Sequence, residues 1–410
     1  MIKMDSKIIK EKKVESHLNS LLEIVIADPL LNPPFEIKGD IISDFNVRCT
    51  RYLDLIAAYK NKNTDGTPNF EELINKTSAI QNGIQSSLES FLSGDIKSAY
   101  DLFDKTFSDN STIHHIHRIT ESLSVFCNDN KPLFRVRRSE KSLTSRNEIF
   151  HIPFSSRQFV DAQRYSVAGL PCLYLGTSLY VCWQEMDKPD FDKLFISSFT
   201  TQDTDSKILN FASPFMILPS VVETNDENRI EINRVKASYM IFWPLIMACN
   251  YTKKDNSAKF IQEYIIPNLL MQWISRKTYS TIVGVAYYST KIPKSRTSYR
   301  SINVVFPPKT TYEQTIKHNF CPKLSSLFSL TPPVSWQVLK TLDHTAITED
   351  SQELLELRLS KNTLKIKEKK EGINNFEEDL IKLYPLTDFY KLEKSIDMLF
   401  QYQTIESLAI

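Results

Sequence analysis

The texture of this chain changes once, near residue 130, and that change constrains the fold more than any single motif. Before it, apolar residues recur at helical spacing with little alternation; Ile84, Leu88, Phe91 and Leu92 stand at i, i+4, i+7 and i+8 on one face. Two runs dense in Asn, Asp, Gly and Pro, DPLLNPP at 28–34 and NKNTDGTP at 61–68, read as turns between helices. From Pro132 the runs become short and β-prone: LFRVR at 133–137, IFHIPF at 149–154, CLYLG at 172–176, LFISSF at 194–199 and TIVGVAYYS at 281–289. Helical stretches separate them, notably Leu179 to Met186 and Phe260 to Ile274. The mixture predicts an α+β fold, with strands too irregularly spaced for a simple doubly wound sheet. Phe306-Pro307-Pro308 and Thr331-Pro332-Pro333-Val334-Ser335-Trp336 read as ordered connections that carry this region to about Leu342. At 410 residues the chain exceeds what one hydrophobic core usually serves. Three modules are expected: helical over 1–130, α+β over 131–342, and a helical tail over 343–410.

Glycine is scarce, with eight in the chain, and none of the patterns GxGxxG, GxxxxGK[ST] or GxSxG occurs. Rossmann, P-loop and α/β-hydrolase readings lose their phosphate cradle or nucleophile elbow. Fifty Lys and Arg against 49 Asp and Glu leave a formal charge of +1, so no global field gathers nucleic acid or an anionic membrane. The mixed-sign run KIKEKKEG at 365–372 reads as a solvated helix face or linker. The longest strongly apolar stretch, Tyr239 to Cys249, is interrupted by Pro244 and falls well short of the roughly 20 residues that a spanning helix needs. The basic start MIKMDSKIIKEKK lacks a following apolar segment, so the expected address is the cytoplasm. Cys49, Cys127, Cys172, Cys182, Cys249 and Cys321 form no CxxC pair and read as reduced, mostly buried thiols.

The densest histidine cluster, His114, His115 and His117, has no Cys or acidic partner at a recognised metal spacing and reads as a solvent-facing helix; no metal is expected. A Cys172 or Cys182 pair with His151 is disfavoured by the apolar runs that hold both thiols. More informative is Gln163 to Met186, QRYSVAGLPCLYLGTSLYVCWQEM: an arginine before a polar turn, a strand carrying Tyr174, then a helix carrying Glu185. Upstream, PLFRVR puts Arg135 in a β-prone run, and downstream GVAYYSTK puts Ser289 at the end of another.

Together these residues resemble the RES family of bacterial toxins, named for Arg, Glu and Ser, whose members look like ADP-ribosyltransferases. The family segment is matched without gaps by Arg164-Tyr165-Ser166, Gly169-Leu170-Pro171, Cys172-Leu173-Tyr174, Ser178 and Glu185, with Arg135 as the first arginine and Ser289 as the downstream serine. Gln163, Tyr165 and Ser166 depart from the usual glycine, tryptophan and asparagine of the turn. The match covers about residues 132–342. It implies an ADP-ribosyltransferase-like mixed β core, flanked here by helical modules, and an enzyme that consumes NAD as a substrate and needs no cofactor. It also implies a toxin role in a toxin-antitoxin pair or anti-phage system, ending in growth arrest. An antitoxin or regulatory protein and a homo-oligomer are the accompanying partners.

The chemistry accounts for the residue types. Cleaving the nicotinamide–ribose bond builds positive oxocarbenium character on the ribose, which a carboxylate such as Glu185 stabilises. Arg135 and Arg164 suit the diphosphate, since a guanidinium binds it bidentately and keeps its charge. Tyr174 offers a face to the nicotinamide ring, and Ser289, like Ser178, a hydroxyl to the ligand. Glu185, Ser289 and Arg135 are the expected catalytic residues; Arg135, Arg164, Tyr174 and Ser178 the expected NAD contacts. These residues should line one concave pocket. Arg157 lies outside the matched pattern. The reaction is glycohydrolysis, phosphorolysis or ADP-ribosyl transfer, the acceptor being left open. The alternative is a catalytically weak RES-like scaffold that acts by binding a partner.

Overall fold

The computed structural model describes residues 2–63, 68–212, 226–255, 258–276, 280–292, 298–341 and 384–405. Two compact units emerge, neither continuous in sequence. The first comprises Met1–Glu121, Asp161–Ala168 and Lys207–Gly284; the second comprises Ser122–Val160, Gly169–Ser206 and Val285–Ile410. The chain leaves the first unit close to the change of texture, yet returns to it twice, where the sequence predicts three consecutive modules. The KIKEKKEG run lies outside the described residues.

The first unit is chiefly helical. It is built on α1 (Ile2–Ala27), α2 (Ile41–Lys62), α3 (Phe70–Leu92), α4 (Ile96–Ser108) and α5 (Asn110–Arg118), with later helices Asp226–Ile241, Trp243–Ala248 and Ile265–Arg276. Each of α2 to α5 starts at an Asp or Asn whose side chain accepts a backbone N–H of the first turn: Asp40, Asn69, Asp95 and Asp109. Such caps satisfy donors that the helix cannot. Along α3 the buried positions are Phe70, Leu73, Thr77, Ile80, Ile84, Ser87 and Leu88. Ile84 and Leu88 are thus on the core face, whereas Leu92, expected with them, is exposed beyond the last contact. Gly83 lets α3 approach α4, because a Cβ there would overlap the Thr106 side chain. The apolar stretch 239–249 is wholly buried and breaks at Phe242, with Pro244 in the first turn of the next helix. Among the described residues no helix is long and apolar enough to cross a membrane.

In chain order the described strands are β1 (Thr120–Ser122), β2 (Leu133–Arg138), β3 (Leu173–Gly176), β4 (Leu194–Thr200), β5 (Lys207–Asn210), β6 (Ile282–Tyr288), β7 (Ile302–Phe306), β8 (Ser329–Leu330), β9 (Val334–Ser335) and β10 (Gln403–Thr404). The second unit is α+β with an open sheet in the order β6-β7-β3-β2-β4-β8-β10, β9 adding to β4. The pairs from β7–β3 through β8–β10 are antiparallel, as is β6–β7 from Val285 to Tyr288. β2 is paired with β4 along its whole length, from Leu133↔Phe199 to Arg138↔Leu194, but meets β3 at a single pair, Phe134↔Gly176.

Strand alternation sends Phe134, Val136 and Ile196 to one face, where they pack with Leu179, Tyr180, Val181, Trp336, Phe389 and Ile396. The opposite face holds an aromatic cluster in which Phe150 stacks on Phe199 at 6.3 Å and Phe306 meets Phe328 edge-on at 5.0 Å. Four of the five β-prone runs form strands. The exception is IFHIPF, which closes the short helix α7 (Arg146–Ile149), the next after α6 (Leu123–Phe126), and then enters the 3-10 turn Phe154–Phe159. Its local chemistry explains this: Ser145 and Glu148 form a capping box, and Pro153 can donate no ladder hydrogen bond. Phe306, expected as part of a connection, instead ends a fully buried central strand, Ile302–Phe306.

Candidate functional site

Gly176 ends β3, and Ser178 caps the helix α8 (Leu179–Glu185) by accepting the Val181 N–H at 3.1 Å. A Cβ on Gly176 would stand 2.6 Å from both Cys182 Sγ and Val181 Cγ1, so the missing side chain is what seats α8 directly on the strand. Cys182 Sγ donates to the Phe134 carbonyl at 3.2 Å, fastening the helix to β2 as well. Burial pushes the Cys182 thiol up to about 12. The thiol is a packing group at neutral pH, as expected for that run. All six cysteines are free.

α8 delivers Glu185 to the end of β7. There Asn303 donates its side-chain amide to Glu185 Oε1 at 2.7 Å. The backbone then turns sharply, with positive φ at Asp187 (63°) and Lys188 (55°). Such angles cost non-glycine residues about 1 kcal/mol or more each. The turn brings the Asp187 carboxylate to Lys291 Nζ at 2.6 Å, and the same ammonium donates to the Glu185 carbonyl at 2.8 Å. The Lys291 N–H in turn donates to Ser289 Oγ at 3.2 Å, and the Ser289 N–H to the Ser301 carbonyl at 2.9 Å. Glu185 and Ser289, distant in sequence, are therefore joined through Lys291.

Tyr174 shares their side of the sheet, since Tyr174 pairs with Val305, Gly176 with Asn303 and Tyr287 again with Asn303. Glu185 and Tyr174 are half-buried, and Ser289 is buried. Among the described residues no cation pairs with the Glu185 carboxylate. It is oriented by a neutral amide.

Arg135 leaves β2 on the side opposite Phe134 and Val136, and hence on the face opposite Gly176, Tyr174 and Glu185 rather than in one pocket with them. Where β2 and β3 part, its Nη1 reaches across to the Tyr174 carbonyl at 2.9 Å. No carboxylate pairs with it among the described residues, and its buried Nε has no hydrogen-bond acceptor there. Burial, reinforced by Arg137, lowers its pKa to about 10, which still leaves the guanidinium charged at neutral pH. A half-buried guanidinium with no counterion among the described residues is costly and suits an incoming anion.

The other expected contacts are committed elsewhere. Ser178 is wholly buried; besides capping α8 it donates to the Arg300 carbonyl at 2.6 Å. Arg164 belongs to the first unit, in a tight turn closed by Gln163 and Ser166, and donates to the Cys249 and Tyr251 carbonyls at 3.2 and 2.5 Å. His151 is buried, its Nε2 accepting the Cys321 N–H at 2.9 Å, and burial lowers its pKa to about 4. His115 contacts Ser238 Oγ and Lys76 Nζ at 2.9 and 3.0 Å; burial, with His114 and Lys76 beside it, likewise lowers its pKa to about 4. It is therefore not the solvent-facing residue that the sequence suggests.

Asn303, Lys291 and Asp187 escaped the sequence reading. A signal existed for the first: a lone amide inside the apolar run INVVF demands a buried partner.

No family model matches the chain, and no solved structure matches it. One curated protein does. It is named "Putative toxin YopC" and comes from Bacillus subtilis (strain 168); identity is 30% over 279 residues. The match takes in 65% of this chain and 60% of the relative, so the chain spans less than two thirds of that protein's length.

Proposed function

We propose that the second unit is the catalytic part of a RES-type toxin or defence enzyme, ADP-ribosyltransferase-like in fold, that cleaves the nicotinamide–ribose bond of NAD and so arrests bacterial growth. The observation that carries this reading is the Glu185 carboxylate, oriented by the Asn303 amide with no cation paired to it among the described residues, while Lys291 ties the Glu185 backbone carbonyl to the Ser289 hydroxyl. An oriented, uncompensated carboxylate is what a ribose oxocarbenium ion requires. Tyr174, on the same side of the sheet, receives the nicotinamide ring. Arg135, set in the parting between β2 and β3 with no acidic partner among the described residues but on the face opposite Tyr174, is the diphosphate contact that the family resemblance suggests. Ser289 hydrogen-bonds the nicotinamide or ribose. Arg164 is the second anion contact suggested by the family resemblance, and Ser178 acts by holding α8. The similarity to a protein named as a toxin supports the biological role; an antitoxin or regulatory partner follows from that role.

The test is loss of NAD from a purified sample, with and without phosphate, followed by chromatography of nicotinamide and of the ribosyl product. Nicotinamide release that disappears in Glu185→Gln is expected. A wild-type protein that leaves NAD intact would overturn the enzyme reading in favour of a RES-like scaffold acting by binding. That second reading draws on Ser178 and Arg164, both of which are spent on backbone groups.

A further inference from the structure

α8 ends in a left-handed cap that holds no glycine. The Asp187 N–H donates to the Gln184 carbonyl and the Lys188 N–H to the Trp183 carbonyl, both at 3.1 Å. These are the paired bonds of a helix C-cap in which the residue at Asp187 takes positive φ, a place that glycine usually fills because it alone meets no steric penalty there. Asp187 and its neighbour Lys188 both bear that penalty. Backbone strain of this kind persists where surrounding contacts hold it, and it gathers at functional sites. The contact here is Lys291, whose ammonium meets the Asp187 carboxylate at 2.6 Å and the Glu185 carbonyl at 2.8 Å.

Those bonds station a cation beside the residue whose own carboxylate is held by a neutral amide. The Glu185 side chain accepts from Asn303 at 2.7 Å, while Lys291 touches only its backbone. Lys291 is exposed, and a flexible four-carbon stem lets a lysine head move to whichever acceptor nearby binds it best. Asp187 is the acceptor that competes with the Glu185 carboxylate for it.

We propose that Asp187 is a positioning residue for Glu185: by holding Lys291 it keeps that ammonium off the Glu185 carboxylate, which then faces the cation developing on the ribose. This role rests on the proposed NAD chemistry. An ammonium paired with Glu185 would cancel the negative charge that stabilises an oxocarbenium ion and would stand where the positive ribose has to form. Aspartate in place of glycine at the cap thus sacrifices some stability of the helix end to keep that charge available.

Two variants of the full chain and their combination test this by nicotinamide release and by crystallography. Asp187→Gly relaxes the backbone and releases Lys291; it should leave the melting temperature unchanged or higher, keep KM for NAD within about twofold and lower kcat by about tenfold or more. Its crystal structure should place Lys291 Nζ within about 4 Å of a Glu185 carboxylate oxygen. Adding Lys291→Met removes the misplaced cation, so the double variant should turn over at least about threefold faster than Asp187→Gly alone. A merely structural clasp predicts the opposite, since each change would loosen the same turn and the double variant would be no better than either. The proposal is overturned by a melting temperature that falls along with kcat, by a change confined to KM, by unaltered turnover in Asp187→Gly, by a double variant no faster than that single one, or by a Lys291 head turned away from Glu185 in its crystal structure. A wild-type protein that leaves NAD intact refutes the NAD reading separately, because the Asp187→Gly crystal structure still decides which carboxylate Lys291 takes.

Discussion

Glu393 offers the sharpest physical test of how the second unit is held together. Its carboxyl is buried where the helix Asp388–Leu399 packs on α8, and that burial raises its pKa from 4.5 to about 7. The hydrogen bonds from Tyr384 and Leu179 and the charge of Arg300 pull the other way but do not win. Between those two values the folded chain holds a proton that the unfolded chain has released. Stability from this group is complete below about pH 4.5 and declines as pH rises through 7, by about 3 kcal/mol in all. Glu393→Gln mimics the protonated side chain, keeps an acceptor for Leu179 and Tyr384, and cannot ionise. The variant should match the wild type near pH 4.5 and exceed it by about 2–3 kcal/mol at pH 8. Urea unfolding followed by tryptophan fluorescence reads this directly, because Trp183 and Trp336 belong to the same core. Asp397, Arg300 and every other titrating group are common to both proteins, so their contributions largely cancel in the difference. Parallel stability curves across pH 4.5–8, or a variant that loses ground as pH rises, would refute the reasoning.

Three further outcomes follow from the geometry. Glu185→Gln should slow nicotinamide release by roughly two orders of magnitude or more while leaving the urea midpoint in place, as loss of one electrostatic stabiliser does; undiminished turnover would remove the carboxylate from the mechanism. Arg135→Lys and Arg164→Lys should each raise the apparent KM for NAD, whereas Arg157→Lys should not, since Arg157 is exposed and donates to the neighbouring Phe154 carbonyl at 3.2 Å. An equal effect at Arg157 would show that the family's second arginine is misplaced. Gly176→Ala should destabilise the second unit by about 1–3 kcal/mol, because its Cβ would enter contacts of 2.6 Å with Cys182 and Val181. Cys182→Ala in the same chain should recover part of that loss in the urea midpoint.

Much of the architecture is legible in local chemistry. The runs around Phe134, Leu173, Phe195 and Val283 become strands because β-branched and aromatic side chains suit a half-buried pleat, and α8 starts at the serine that its pattern requires. IFHIPF misleads because hydrophobicity alone does not count backbone donors: Pro153 has none, and Phe154 donates to Asn319 instead of a neighbouring strand. Phe306 sits in a strand that the following prolines make look like a connection, although Pro307 comes after the last ladder pair, Leu173↔Phe306. Of the candidate site, the residue types Arg135, Tyr174, Glu185 and Ser289 are readable as a pattern. The partners that determine their chemical state are not. Asn303 and Lys291 become neighbours of Glu185 only when β7 and the end of β6 are aligned with β3 and α8.

The sequence by itself determined what each stretch of about ten residues does, since period, caps and breakers act within one or two turns. It also dictated which side chains are able to carry charge, Arg135 and Glu185 among them. Only the tertiary structure decided that the first unit draws on three separate stretches, that Arg164 belongs to it, and that His115 is buried against Ser238. It also decided that the Glu393 proton survives to about pH 7. Each of these depends on burial and on partners far away in sequence, and desolvation has no local signature: a glutamate on a helix reads the same whether its carboxylate meets water or the closed core between two helices.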